Sequence, residues 1–339
     1  MIFKRRLPIP KEIKEQFPVS AEGIKAKQSN DAEIRRIITG ESDKMLLVIG
    51  PCSADREDAV LEYITRLCRL REQVGEKIMI VPRIFTNKPR SNGAGYMGML
   101  HQPDPNAEPD VLQGLIALRR LHMRVLNETG FSCADEMLYP EEYRFLSDLL
   151  SYVTIGARSV ENQQHRFTAS GLDIPVGIKN PTGGNLSSML KAIASAQAPH
   201  TFIYRNWEVE SKGNPMAHAI LRGWIDTGNR MHPNYDYETL TLLAELYQGS
   251  GLGNPALIVD TNHANSGKDF NKQPDIVKDV LASARRSPEI KRLVKGFMIE
   301  SYLEDGCQQP GGTAYGQSIT DPCLGWAKTE KLVLELADF

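Results

Sequence analysis

From residue 45 onward, short apolar runs alternate with helix-like segments, and this alternation restricts the fold more than any other feature. MLLVIG (45–50) precedes DREDAVLEYITRLCRLREQVG (55–75). KIMIVPRI (77–84) precedes, after a long Gly-rich polar loop, PDVLQGLIALRRLHMRVLNETG (109–130). FSCADEM (131–137), VTIGAR (153–158), PVGIKN (175–180), HTFIYR (200–205), PALIVDTNH (255–263) and FMIES (297–301) complete the series, each with helical text behind it. Apolar runs without polar alternation suit strands buried on both faces, and repeated strand–helix units build a parallel sheet. Eight units predict a closed α/β TIM (β/α)8 barrel rather than an open doubly wound sheet. No GxGxxG follows the first run, so a dinucleotide fold has no support. One catalytic barrel is expected over residues 41–339, without a linker.

Residues 1–40 are polar, proline-bearing and weakly periodic. SNDAEIRRIITG (29–40) predicts a capped helix stopped by Gly40, within an N-terminal extension that reads equally as a loosely packed tail or as an oligomer contact. The basic residues at the N-terminus have no apolar stretch behind them, and no run of about 18 apolar residues occurs. A net charge of −2 gives no sign of nucleic-acid or membrane binding. Five scattered cysteines (52, 68, 133, 307 and 323) without CxxC spacing argue for a reducing, cytoplasmic setting.

In a TIM barrel the chemistry sits at the C-terminal ends of the strands. Those ends carry Cys52, Arg83, Glu136, Arg158, Lys179, Asp260, His263 and Glu300, with Lys88 and Arg90 in the second loop and Asp321 in the last. A lone basic residue at a strand end is usually a solvated side chain. Arg83, Lys88, Arg90, Arg158 and Lys179 on one rim of a nearly neutral protein need something anionic to offset their repulsion, and Arg222 is a further candidate. Their number suggests two anionic groups or two phosphorylated substrates. Cys52, His263, Glu300 and Asp321 form a mixed soft and hard set suited to a divalent transition metal: Mn, Fe, Co or Zn. The competing reading makes Cys52 core filler and the two carboxylates partners of the basic rim.

The motifs VIGPCS (48–53), NKPRS (87–91), IGARSVENQQHR (155–166), PVGIKN (175–180), LRG (221–223), HANSGKDF (263–270), MIES (298–301) and YGQSITDPCLGW (315–326) run in order over nearly the whole chain. Together they resemble the phenylalanine/tyrosine-sensitive class I 3-deoxy-D-arabino-heptulosonate-7-phosphate (DAHP) synthases. The resemblance implies a metal-dependent TIM barrel that condenses phosphoenolpyruvate with erythrose 4-phosphate at the start of the shikimate pathway, as a homodimer or homotetramer. It implies Cys52, His263, Glu300 and Asp321 as metal ligands. It assigns Arg83, Ala157 (through its backbone), Arg158, Lys179 and Arg222 to phosphoenolpyruvate, and Pro89, Arg90, Ser91 and Asp321 to the aldehyde phosphate. Lys88, Cys52, His263 and Glu136 are the expected catalytic groups, with Lys88, Glu136 or His263 handling a proton.

The sequence departs from this family on the aldehyde side. Ser91 stands for a threonine, residues 92–110 differ considerably, and Gln317 replaces a lysine. Effector-pocket positions are also altered, at Tyr143, Asp173 and Tyr204, so feedback by phenylalanine or tyrosine is expected to be lost or changed. Two competing readings are a relative that uses a different aldehyde and a non-catalytic barrel serving as a binding subunit.

Overall fold

The computed structural model describes residues 1–90, 93 and 95–339. Twelve strands occur among them: β1 Met45–Gly50, β2 Ile78–Pro82, β3 Cys133–Glu136, β4 Leu150–Ile155, β5 Val176–Lys179, β6 Thr201–Tyr204, β7 Trp207–Glu210, β8 Ala217–Leu221, β9 Trp224–Ile225, β10 Met231–His232, β11 Leu257–Asp260 and β12 Val294–Glu300. Eight form one parallel sheet in the order β2-β1-β12-β11-β8-β5-β4-β3. Its two ends meet at a parallel bridge between Arg83 and Ala134, which closes the barrel. Helices cover the outside, as a parallel sheet buried on both faces requires. The expected TIM barrel is the fold.

One strand differs from expectation. HTFIYR is not the sixth barrel strand; Thr201–Tyr204 pairs antiparallel with Trp207–Glu210 in a separate hairpin. Its turn residues, Arg205 and Asn206, both have positive φ (57° and 62°), the conformation of a tight two-residue hairpin turn. Residues along β6 alternate exposed and half-buried, as on a one-sided ribbon. The sixth barrel strand is AHAIL, β8, paired with β5 and β11 and buried at every position. His218 hides it in the sequence by breaking the apolar run. Inside the barrel that ring is satisfied by Tyr152 Oη at 2.6 Å and the Met216 carbonyl at 2.8 Å.

The extension is better packed than its composition suggests. Its main helix is Ala21–Thr39, starting well before the expected residue 29, capped by Ser20 and ended by Gly40 at φ 80°. Ile34, Ile37 and Ile38 are buried with Leu46, Val48, Tyr152, Ile220, Ile258 and Met298 of the barrel interior. The helix hands over to the start of β1, so these isoleucines close the end of the barrel opposite the strand termini. Buried Arg119 ties the preceding segment down by donating to the Phe17 carbonyl at 2.8 Å while pairing with Asp148.

Candidate active site

The strand ends bring most of the expected residues to one rim. Glu136, Lys179, Asp260 and Glu300 are the last residues of β3, β5, β11 and β12. Cys52 and Arg83 follow β1 and β2, and Ala157 and Arg158 sit in the turn after β4. With β8 as the sixth strand, Arg222 becomes the residue directly after it and joins the same series. Gly50 is required where β1 ends, because a Cβ there would stand 2.3 Å from the Arg83 carbonyl oxygen. Gly156 plays the same part beside Glu136, whose Oε1 would lie 2.5 Å from an added Cβ.

The ligand atoms of Cys52, Glu300 and Asp321 all lie within 4.8 Å of one another. His263 stands just outside this group, with Nε2 3.8 Å from Glu300 Oε1. Its Nδ1 faces Asp260, 3.0 Å from Oδ1, which leaves Nε2 as the nitrogen turned to the carboxylates. Burial should raise the Glu300 carboxyl, yet Arg83 and His263 outweigh it and the value falls. Asp321 behaves alike: burial opposes ionisation, but His263 and Lys268, the latter at 3.0 Å, hold it at about 2. Its stabilising contribution is present above the ordinary 3.8 and is lost as pH falls through about 2. Cys52 goes the other way. Burial, then Glu300, push the thiol up against the pull of Lys88, whose Nζ donates to Sγ at 3.1 Å. A buried thiol, two ionised carboxylates and an oriented imidazole are a donor set that fits a divalent transition metal.

Around these groups runs a basic wall. Lys179 is buried and lies 3.4 Å from Asp260 and 3.9 Å from Glu136. Burial lowers the Arg222 guanidinium, Asp260 opposes that, and neighbouring Arg158 adds to it. Arg83 is 1 % exposed and committed to protein partners: Glu300 Oε1 and the Cys52 carbonyl, each at 2.9 Å, and the Pro51 carbonyl. Lys88, Pro89 and Arg90 lie half-buried in the loop after β2, where Arg90 Nε donates to the Tyr96 carbonyl at 2.9 Å. Ser91 lies outside the described residues.

Two supporting residues escaped the sequence reading. Asn262 donates to Glu300 Oε2 at 2.5 Å and to the Pro322 carbonyl at 3.2 Å, joining one candidate ligand to the loop that bears Asp321. Fully buried Gln273 bonds both the backbone N–H and C=O of Glu300, at 3.0 and 2.8 Å. Only the neighbouring HANSGKDF text hinted at them, since a side-chain amide has no sequence signature of its own.

Away from this rim, Tyr143, Asp173 and Tyr204 line one cavity of about 650 Å³ outside the barrel, with Arg35, Arg144 and Phe202. The β6–β7 hairpin forms one wall. Among the described residues no helix is long and apolar enough to cross a membrane, and all five cysteines are free.

A closed parallel barrel with a thiol–carboxylate group and a basic wall at its C-terminal rim is the architecture of a TIM-barrel enzyme for anionic substrates. The chain belongs to the DAHP synthetase I family, whose model matches residues 16–334. It is 35% identical to the Tyr-sensitive phospho-2-dehydro-3-deoxyheptonate aldolase of Escherichia coli, over 97% of this chain and 92% of that protein. The Trp-sensitive and Phe-sensitive aldolases of the same organism are 37% and 36% identical, over 98% and 99% of this chain and 94% of each relative. The phospho-2-dehydro-3-deoxyheptonate aldolase of Francisella tularensis superposes with a TM-score of 0.92 at 30% identity, covering 100% of this chain and 98% of that one. The family is generally metal-dependent, and Cys52, Glu300 and Asp321 form a candidate site for the ion.

Proposed function

We propose that this chain condenses phosphoenolpyruvate with erythrose 4-phosphate and water to give 3-deoxy-D-arabino-heptulosonate 7-phosphate and phosphate, the first step of the shikimate pathway. The observation that carries the reading is the meeting of Cys52, Glu300 and Asp321 beside Lys179 and Arg222, within a family of that name.

Cys52, His263, Glu300 and Asp321 would hold one ion of Mn, Fe, Co or Zn, the thiolate making Mg a poorer fit. Such an ion, when bound, supplies Lewis acidity toward the aldehyde oxygen. The protein's own groups do the rest. Lys179, Arg158 and Arg222, with the backbone at Ala157, grip phosphoenolpyruvate and offset its charge. Arg83 belongs to the same wall, but its contacts make holding Glu300 its main task. Pro89, Arg90, Ser91 and Asp321 receive the aldehyde and its phosphate. Carbon 3 of the enol phosphate adds to the carbonyl carbon, water attacks carbon 2, and C–O cleavage releases phosphate. Lys88, Glu136 and His263 stand around this space as candidates to move the proton.

A second reading, a different short aldose phosphate as acceptor, is favoured by Gln317. It replaces a lysine of the family pattern and turns into its own loop, donating to the Asp305 carbonyl at 2.8 Å. Steady-state assays with phosphoenolpyruvate and a panel of aldose phosphates, with and without chelator, separate the two. Erythrose 4-phosphate is expected to be turned over best and chelator to abolish activity; negligible turnover of the tetrose overturns the first reading.

Regulation is expected to differ from the phenylalanine/tyrosine-sensitive pattern. Asp173, at a position where that pattern has a serine, and the hairpin's Tyr204 place a carboxylate and a phenol in the cavity. The Asp173 carboxylate repels an amino acid's carboxylate unless it meets the amino group. Calorimetric titration with phenylalanine and tyrosine should show no inhibitory binding, and tight inhibitory binding of either sinks this expectation. A homodimer or homotetramer accounts for exposed Ile2, Phe3, Ile203 and Trp207; a monomeric mass by light scattering would refute it. The five free cysteines fit a cytoplasmic setting.

A further inference from the structure

Behind the site lies a pair of buried carboxyls with no part in the reaction just described. Asp135, on β3, and Glu142, on the helix Pro140–Leu146, are both buried and both face Thr86 in the loop after β2. Thr86 Oγ1 lies 2.6 Å from Asp135 Oδ2 and 3.0 Å from Glu142 Oε1. A threonine hydroxyl has one proton to give. It can satisfy one of these oxygens, and the other must itself bring a proton.

The remaining contacts decide which carboxyl carries it. Asp135 Oδ1 accepts the backbone N–H groups of Thr86 at 3.0 Å and Glu136 at 2.7 Å, a set of donors that favours the ionised form. Among the described residues Glu142 has one other partner, the Asn87 side-chain amide, which donates to Oε2. Burial and the Asp135 charge drive Glu142 toward its neutral form. His122 faces Asp135, with Nε2 3.5 Å from Oδ2, and the Tyr139 phenol lies near Glu142.

We propose that Glu142 is a neutral carboxylic acid whose O–H donates to Thr86, which donates in turn to the Asp135 carboxylate, and that this chain is the positioning device for the Lys88 loop. Thr86 and Asn87 immediately precede Lys88, Pro89 and Arg90, and the loop is held on its other side by Lys88 N–H to the Met97 carbonyl at 3.0 Å. The same Asp135 carboxylate fixes the backbone of Glu136. The protonation of this pair therefore sets two groups at neighbouring strand ends, Lys88 after β2 and Glu136 on β3. A carboxylic acid kept neutral at neutral pH by an apolar site so that it can donate has precedent among enzymes.

The kinetic part of the test rests on the proposed condensation, and the spectroscopic part does not. The infrared difference spectrum of wild type minus Glu142→Gln at neutral pH should contain the carbonyl stretch of a protonated carboxylic acid; bands of an ionised carboxylate overturn the proposal. The amide introduced by Glu142→Gln can donate to Thr86 and accept from Asn87, so this variant should keep kcat/KM for the aldehyde phosphate within about threefold of wild type, far short of the loss a misplaced catalytic group causes. Glu142→Ala, which opens the clamp, should lose on the order of 100-fold with unchanged metal content. Equal impairment of the two variants overturns the positioning role. If the alanine variant does not fold, or no turnover is found with these substrates, the infrared result alone decides where the proton is.

Discussion

Replacing Cys52 by serine is expected to remove bound metal and activity together. The thiol is buried, its Sγ is within 4.8 Å of the nearest carboxylate oxygens of Glu300 and Asp321, and no other sulfur belongs to that group. A serine hydroxyl does not ionise near neutral pH and is a harder, weaker ligand for a transition metal. The loss should reach on the order of 1000-fold in kcat, with metal content falling in parallel. Metal analysis beside the assay distinguishes this from nucleophilic catalysis, because full metal content in an inactive variant would point to attack by the thiol.

A proton count sharpens that prediction. Glu300 and Asp321 are held ionised, whereas burial keeps Cys52 protonated near neutral pH. A metal entering the apoprotein must displace the Cys52 proton, so the thiol contributes about one released proton per ion and a roughly tenfold gain in affinity per pH unit until it titrates. Calorimetry in buffers of different ionisation enthalpy reads this directly. Cys52→Ser should release about one proton fewer per ion than wild type.

The second large effect concerns stability. Glu300 and Arg83 are 0 % and 1 % exposed and pair at 2.9 Å. Glu300→Ala leaves the guanidinium buried against the Pro51 and Cys52 carbonyls with its charge uncompensated, and removing one partner of such a pair costs about 3–5 kcal/mol. Glu300→Gln keeps the shape and the amide contacts and should cost less. Asp321→Asn makes the contrast: its partner Lys268 is exposed and can return to water, and His263 keeps Asp260, so the chelated protein should lose less than with Glu300→Ala. Denaturant midpoints of the metal-free proteins test the ordering, and equal stability of Glu300→Ala and Asp321→Asn would falsify it.

The barrel and most of its rim were legible in the sequence because both depend on local rules. A strand buried on both faces must be apolar throughout, as MLLVIG and PALIVD are, and in a parallel barrel the next residue falls on the functional face. That places Cys52, Arg83, Glu136, Lys179 and Glu300 without knowledge of any contact. The sixth strand broke the rule in both directions. AHAIL carries a histidine whose cost is removed by Tyr152, a residue two strands away in the sheet, together with the Met216 carbonyl, while TFIY has strong strand propensity but no sheet partner except its own hairpin. Propensity is local and the choice of partner is not.

For Cys52, the residue type and the strand-end position determined that it would stand on the rim. Only the tertiary structure decided its state, because burial, the Glu300 charge and the Lys88 ammonium come from distant parts of the chain and act through space. The same holds for Arg83, whose burial against Glu300 no local rule gives. Asp135 and Glu142, on a strand and on the helix that follows it, meet over one threonine from a different loop for the same reason. Sequence sets which groups reach a strand end, whereas their protonation and their partners depend on what the closed barrel packs around them.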